Sequence, residues 1–124
     1  MGTFKDLEVF QLALQYAKSV YQITQPFPST EQFGLTNQMR RAAIAIPSSI
    51  AEGSARRTAT DRKHFVDIAL GSLNESHAQL ILAVELGYMS QEKLGEAERF
   101  IEKLKSKLFA YHKSIKSRPK TSNF

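Results

Sequence analysis

The sequence contains no cysteine and no tryptophan among its 124 residues. Without cysteine, neither a disulfide framework nor a thiolate-bound metal can hold the fold, and nothing indicates an oxidising compartment. No segment reaches the ~20 apolar residues that a membrane-spanning helix needs, and residues 1–6 lack the basic stretch and apolar run of a secretory signal. These absences favour a cytoplasmic protein whose fold depends on side-chain packing.

Glycine is also scarce, with six scattered residues, and no P-loop, dinucleotide-binding fingerprint or nucleophile elbow is present. The strongest candidate for chemistry is Asp61, His64 and Asp67, whose spacing places three polar side chains along one side of a helix. Exposed Asp and His near a helix start are common without any metal, and the paired Glu-x-x-His motifs of a di-iron bundle are missing. We therefore predict a protein that is not an enzyme and binds no metal or cofactor.

Four segments repeat apolar residues at spacings of three and four, which is the pattern of amphipathic helices, and no strand pattern competes. The joints between them are short, so neighbouring helices should run antiparallel. We predict an all-α fold, an up-down-up-down four-helix bundle. It should form one domain over residues 1–117, followed by a disordered basic tail over residues 118–124.

The first helix is predicted over residues 7–25, because the proline at position 26 disfavours helix in the residue before it. Its buried stripe is expected to be Leu7, Phe10, Leu14, Ala17 and Tyr21.

Ser29 and Gln32 have the spacing of a capping box, which places the start of the second helix near Thr30. That helix should reach about Gly53, with a kink but no break at Pro47. Its buried stripe is expected to be Leu35, Met39, Ala42, Ile46 and Ile50.

The third helix is predicted to be capped by Thr60 or Asp61 and to stop at Gly87. Its buried stripe is expected to be Phe65, Ala69, Leu73, Leu80 and Leu86. Ser90 should cap the fourth helix, which carries an unbroken heptad pattern. The stripe of the fourth helix is Leu94, Ala97, Ile101, Leu104, Leu108, Tyr111 and Ile115.

Seventeen Lys and Arg residues against twelve Asp and Glu leave a net charge of +5. In an up-down-up-down bundle, the loop between the second and third helices lies at the same end as the C-terminus. The basic residues that this topology brings together are Arg56, Arg57, Arg62, Lys63, Lys113, Lys116, Arg118 and Lys120. Such an end favours phosphate groups, whereas the alternative interpretation is a solvated surface that maintains solubility.

Polar residues also fall beside the small-residue stripes of the second and third helices. We interpret Gln38, Arg41, Glu52 and Glu75 as a structural polar network, with a ligand or catalytic site as the alternative. In an antiparallel hairpin Arg41 lies opposite about residue 74, so Glu75 is its expected partner in a buried ion pair.

The second and third helices resemble a known family. The runs Phe33-Gly34-Leu35-Thr36-Asn37-Gln38-Met39-Arg40-Arg41-Ala42-Ala43, Ile46-Pro47-Ser48-Ser49-Ile50-Ala51-Glu52-Gly53 and Gly71-Ser72-Leu73-Asn74-Glu75 are similar to those of four-helix bundle proteins encoded in intervening sequences of bacterial 23S ribosomal RNA genes. This resemblance covers roughly residues 4–90 and implies a four-helix protomer, a ring-shaped homopentamer and no catalytic activity. It also implies similarity to the accessory protein of diversity-generating retroelements, a basic barrel that binds nucleic acid and a reverse transcriptase.

Several large apolar residues lie off the predicted stripes and are difficult to bury in one bundle. They are Leu70, Ile81, Leu82, Phe100 and Phe109. Contiguous exposed apolar surface usually marks an interface, so we predict a homo-oligomer. The expected function is non-catalytic binding of RNA or DNA with low sequence specificity, alongside a protein partner and without a membrane. The alternative is a structural or protein-interaction scaffold with no nucleic-acid role.

Overall fold

The computed structural model describes residues 2–116 and contains, within them, four α-helices and no strand. The helices are α1 Glu8–Thr24, α2 Leu35–Ser54, α3 Ala59–Glu85 and α4 Gln91–Ser114. Short 3₁₀ helices at Phe4–Asp6 and Ser29–Glu31 precede α1 and α2. The all-α prediction is confirmed, while the tail predicted over residues 118–124 lies outside the described residues.

The four helices are arranged as an antiparallel bundle. Each packs against the next along the chain, and α4 returns to pack against α1. Glu8 at the start of α1 pairs with Lys107 near the end of α4 at 3.3 Å. His77 late in α3 likewise meets Glu98 early in α4 at 2.8 Å. Helix α4 therefore runs antiparallel to both α1 and α3, and the short joints make α2 antiparallel to the helices before and after it.

The core lies along the bundle axis and is mostly apolar, and one of its buried hydrogen bonds joins two helices. Its largest fully buried residues include Tyr16, Met39, Ile46, Ile50, Leu73, Leu80, Ile101, Leu104 and Leu108. The hydroxyl groups of Tyr16 and Ser76 lie 2.6 Å apart, which joins α1 to the diagonally opposite α3. Burial raises the pKa of Tyr16 to about 12, because the ionised phenolate is poorly stabilised away from water.

No helix in residues 2–116 is both long enough and apolar enough to cross a membrane.

The predicted stripe of α1 is largely wrong. Leu14 and Tyr21 are exposed, and of the five expected residues only Ala17 is fully buried. The helix instead buries Val9, Leu12, Ala13, Tyr16, Ala17, Val20 and Thr24. The Arg40 guanidinium carbon lies 4.6 Å from the centre of the Tyr21 ring, so a cation covers this ring at the surface.

The stripe of α3 is partly wrong. Ala69, Leu73 and Leu80 are buried as predicted, but Phe65 is only partly buried and Leu86 is exposed. The rest of the buried face consists of Val66, Ser76 and Ala83. The predicted stripe of α2 is buried except for Leu35, and that of α4 except for Tyr111, both of which pack partly against the core.

The start of α2 also differs from the prediction. Ser29 begins a 3₁₀ helix and α2 starts only at Leu35, after Gly34. The Glu31 carboxylate, not a Ser29 hydroxyl, accepts the Leu35 N–H at 2.9 Å. The capping-box prediction was wrong because a carboxylate further along the chain reaches the free N–H groups of the helix. Helix α2 then runs unbroken through Pro47.

Helix α3 is capped two residues earlier than the nearer predicted position. The Thr58 hydroxyl accepts the Asp61 N–H at 3.0 Å. At the other end, Gly87 has a φ of +80°, and the Tyr88 N–H donates to the Ala83 carbonyl at 2.9 Å. This is a Schellman motif, so the predicted stop at Gly87 is confirmed. The Ser90 hydroxyl caps α4 as predicted, accepting the Lys93 N–H at 3.1 Å.

Candidate nucleic-acid interface

Four segments meet at one end of the bundle, which we call the basic end: the last turn of α2, the loop from α2 to α3, the start of α3, and the last turn of α4 with the residues that follow it. Helix α2 ends at Ser54 and α3 begins at Ala59, so the connecting loop is short. The structure confirms that this loop lies beside the end of α4, because Arg62 of α3 donates a hydrogen bond to the carbonyl of Lys116.

Arg62 fastens this end of the molecule. Its guanidinium also donates to the carbonyl of Arg57 at 3.0 Å and to that of Arg56 at 3.3 Å. Carbonyl groups at and beyond the last turn of a helix have no partner within the helix and carry partial negative charge. Arg62 therefore joins the segments that follow α2 and α4, and its N–H donors are largely engaged in holding the fold.

Arg56 is also held by its neighbours. Its guanidinium lies 2.9 Å from the Glu52 carboxylate and 4.7 Å from the centre of the Phe65 ring. An exposed ion pair of this kind contributes only about 0–1 kcal/mol to stability, but it neutralises the charge locally. Arg56 is thus less available to a phosphate than the sequence alone suggested.

The remaining described cations of this end are Arg57, Lys63, Lys113 and Lys116, which we call the free basic set. Arg57, Lys113 and Lys116 are exposed and Lys63 is partly exposed. Within residues 2–116, none of the four forms an ion pair. The other two predicted contacts, Arg118 and Lys120, lie outside the described residues.

A cleft of about 690 Å³ opens beside Arg62. Its lining includes Phe4, Asp6, Ser54 and Tyr111. Burial raises the pKa of Tyr111, and the positive charge of Arg62 partly opposes that rise. Sequence reasoning missed this cleft because its two aromatic residues come from opposite ends of the chain, and no local pattern links them.

The candidate metal ligands do not converge. No group of three or more His, Asp or Glu side chains in the described part of the chain could hold a metal ion. The Asp67 carboxylate instead lies 3.4 Å from the His112 ring, and the His64 ring packs edge-on against Phe65 at 5.8 Å. These side chains bridge helices or cover apolar surface.

The polar network predicted between α2 and α3 is not present as a buried unit. Arg41 and Glu75 are both exposed, and no salt bridge joins them. They line an open pocket of about 290 Å³ together with Gln38, while Glu52 lies elsewhere and pairs with Arg56. The predicted register was correct, since Arg41 and Glu75 share one pocket, but the predicted burial was wrong.

Comparison with known proteins supports the helical fold and identifies the family. The chain resembles a solved structure, a protein of unknown function from the S23 ribosomal protein family of Bacteroides thetaiotaomicron VPI-5482. The two are 20% identical, the match covers 86% of this chain and 99% of the other, and the TM-score is 0.74. No curated protein matches the sequence. The family described as 23S rRNA-intervening sequence protein matches residues 5–110. The chain therefore belongs to the 23S rRNA-intervening sequence protein family.

Proposed function

We propose that this protein is a non-catalytic, self-associating protein that binds RNA or DNA through its basic end, with low sequence specificity. The observation that carries the proposal is the convergence of the free basic set around Arg62. Unpaired cations on a rigid frame neutralise phosphates and release condensed counterions, which is the main source of non-specific affinity. Phosphate contacts position a nucleic acid without reading its sequence.

The cleft beside Arg62 favours a single-stranded ligand over a duplex. Phe4 and Tyr111 line its wall, and an aromatic ring offers a surface on which any unstacked base can lie. Bases in a duplex are already stacked and cannot enter such a cleft without being extruded. Single-stranded RNA or DNA, or a loop within structured RNA, is therefore the ligand class we propose.

The test is the salt dependence of binding to a single-stranded oligonucleotide. Replacing Arg57, Lys63, Lys113 and Lys116 together by Ser should weaken all sequences alike and flatten the plot of log affinity against log salt. Each lost phosphate contact should reduce the slope by about 0.7. Binding is measured by fluorescence anisotropy at several salt concentrations.

A matched control removes the same amount of charge elsewhere. Lys18, Lys93, Arg99 and Lys103 are exposed and lie away from the basic end, on α1 and α4. Replacing these four by Ser should leave most of the affinity and the slope in place. Equal losses in the two variants would contradict the proposed surface and leave only a general charge effect.

The assembly we propose is the ring-shaped homopentamer implied by the family resemblance. A ring repeats the basic end around an axis, so weak contacts at each protomer add through a high effective concentration. Exposed apolar residues support self-association, since Ile81, Leu82 and Phe109 are 43%, 47% and 58% exposed. Of the other residues predicted to be in surplus, Leu70 and Phe100 pack partly against the core. Light scattering that shows a monomer at micromolar concentration would exclude the ring.

A structural or protein-interaction scaffold is the second candidate, and one observation favours it. An apolar groove of about 540 Å³ runs between α1 and α4, lined by Ile23, Met89 and Phe100 among others. A groove of this kind suits an apolar side chain or helix of a protein partner. If the protein shows no retention on immobilised single-stranded nucleic acid at low salt, the scaffold function is supported and nucleic-acid binding is excluded.

A further inference from the structure

Helix α3 carries two stripes of residues at heptad spacing, and only one of them faces the core. The buried stripe is Val66, Ala69, Leu73, Ser76, Leu80 and Ala83. The second stripe is Ile68, Ser72, Glu75, Gln79, Leu82 and Leu86. Apolar residues at spacings of three and four pack one helix along another, and the second stripe is apolar at Ile68, Leu82 and Leu86 and polar between them.

This second stripe lies beside α2 on the outside of the bundle. Ser72 and Glu75 share a pocket with Gln38 and Arg41 of α2, and the Gln79 side chain donates to the Gln38 carbonyl at 3.4 Å. We call this surface the hairpin face. On α3 it comprises the second stripe, and on α2 it comprises Gln38, Arg41, Ala45 and Ser48.

The hairpin face is apolar toward both of its ends. Ile68 is 38% exposed, and Leu82 and Leu86 are each 47% exposed. Between them the pocket is lined by the short side chains of Ala42 and Ala45. Short side chains let a second helix approach closely, because the distance between packed helices depends on the residues at their contact.

Two opposite charges stand at the middle of this face without pairing. Arg41 and Glu75 are both exposed, and no salt bridge within residues 2–116 includes either of them. They line the same pocket on neighbouring helices, so each copy of the chain presents one cation and one carboxylate side by side. Such a surface is electrostatically complementary to a second copy of itself.

We propose that the hairpin face is a contact surface between copies of this chain, with Arg41 of one copy paired to Glu75 of another. The inference rests on the self-association in the proposed function and names its surface. In a two-fold pair both charges meet the same neighbour, and in a ring each meets a different one. A nucleic acid does not fit here, because Glu75 lies beside Arg41 and leaves the pocket without the net positive charge that phosphates require.

Contact between copies removes water from the pair and covers the apolar residues at each end of the face. Complementary charges at an interface set its register and reject wrong partners, and like charges placed opposite each other weaken it strongly. The pair therefore determines which surface is used, and the apolar residues supply most of the favourable burial.

The experiment uses charge reversal in the full chain without nucleic acid. Sedimentation velocity should show an assembly for the wild type, and Arg41→Glu or Glu75→Arg alone should weaken association at least about tenfold. An equimolar mixture of the two single variants should associate more strongly than either variant alone, because the carboxylate introduced at position 41 of one chain then meets the guanidinium introduced at position 75 of the other. A closed five-membered ring keeps at least one contact between identical variants, so recovery is measured as association between the two variants and not as return of the wild-type pentamer. Repulsion inside each variant chain persists in the mixture, so recovery there can arise only between chains.

Arg99→Glu and Glu102→Arg are matched controls, because both positions are exposed on α4 away from the hairpin face. They should assemble as the wild type does, and circular dichroism should show that every variant is folded. A wild-type chain that stays monomeric, a mixture that fails to recover, or control variants that dissociate equally would each overturn the inference. Oligonucleotide binding is measured separately, so loss of assembly is distinguishable from failure of the basic end to bind.

Discussion

At each end of the bundle one charged side chain hydrogen-bonds to backbone groups at helix termini, and the two side chains carry opposite charge. At the basic end, Arg62 donates to carbonyls that follow α2 and α4. At the other end, the Glu31 carboxylate accepts the Leu35 N–H at 2.9 Å and the Tyr88 hydroxyl at 2.8 Å. Helix α2 begins at Leu35, beside Glu31, and ends at the basic end, so each charge matches the partial charge of the helix terminus it meets.

The difference between these ends lies in what surrounds the fastening residue. Around Glu31, the loop between α1 and α2 packs against the loop between α3 and α4. The rings of Phe27 and Tyr88 lie 5.4 Å apart, and Phe27 is buried. Around Arg62 the surface carries unpaired cations and an open cleft. At the basic end Arg62 and Arg56 are engaged within the fold, whereas the free basic set is not, so the same end can be both ordered and available to a ligand.

The largest expected effect comes from Gly53, where α2 approaches α3 next to the basic end. A Cβ added there would lie 2.5 Å from the Cβ of Phe65. That atom is close to the backbone, so the helices themselves must separate. Gly53→Ala should therefore destabilise the fold by about 2 kcal/mol, within the usual range for overpacking, as measured by urea unfolding.

Gly71 provides the control for this substitution, because a Cβ added there meets nothing within 4 Å. Gly71→Ala should stabilise the protein by about 0.5–1 kcal/mol through helix propensity alone. If Gly53→Ala is also stabilising, the close approach of α2 and α3 at that position is wrong.

A smaller effect is expected at Arg62. Arg62→Met keeps most of the aliphatic stem but removes every hydrogen-bond donor. The carbonyls of Arg56, Arg57 and Lys116 must then hydrogen-bond to water instead. The loss should be about 1 kcal/mol, the net value of ordinary hydrogen bonds that water can replace. Hydrogen exchange should show faster exchange at the Ile115 and Lys116 amides.

Arg57→Met is the matched control, since Arg57 is exposed and its side chain forms no ion pair among the described residues. Its stability should stay within about 0.5 kcal/mol of the wild type. Equal behaviour of the two variants would mean that Arg62 does not fasten the basic end.

The smallest effect is expected at Glu31 and depends on pH. The hydrogen bonds from Leu35 and Tyr88 hold the pKa of Glu31 below its ordinary value of 4.5. Because the folded-state pKa is lowered, the stabilising contribution is present above pH 4.5 and is lost as the pH falls through the folded-state pKa. Glu31→Gln should therefore flatten the acid side of the stability curve, whereas Glu92→Gln at the same end should not. A stability difference between the wild type and Glu31→Gln that stays constant as the pH falls below 4.5 would contradict the assignment.

Much of the fold followed from the sequence because helix periodicity and cap chemistry are local. The heptad pattern of α4 predicted its buried face, and Gly87 and Ser90 marked two helix ends correctly. The predicted stripe of α1 failed because that helix carries apolar residues on more than one side, and periodicity alone could not choose between them. Packing against the other helices determines which side of α1 is buried.

The site was harder to predict because charge clusters reveal position along the chain but not which donors are occupied. Topology placed Arg62 at the basic end correctly, yet nothing in the sequence indicated that it would donate to three carbonyls. The Arg41 and Glu75 register was likewise correct, but their exposure was not foreseen. Burial depends on how far neighbouring helices splay, which is a property of the assembled bundle.

The hydrogen bond between Tyr16 and Ser76 opposes sliding of α3 along α1. Positions seven residues before and after Ser76 on the same stripe of α3 are Ala69 and Ala83, both fully buried. If α3 slipped by one heptad, the small-residue packing would survive, but the Tyr16 hydroxyl would face a methyl group with no water nearby. An unsatisfied buried hydroxyl costs about 1–3 kcal/mol, a large share of the stability of a small domain. One serine between two alanines thus favours the axial alignment of α1 and α3 in which the two hydroxyl groups meet.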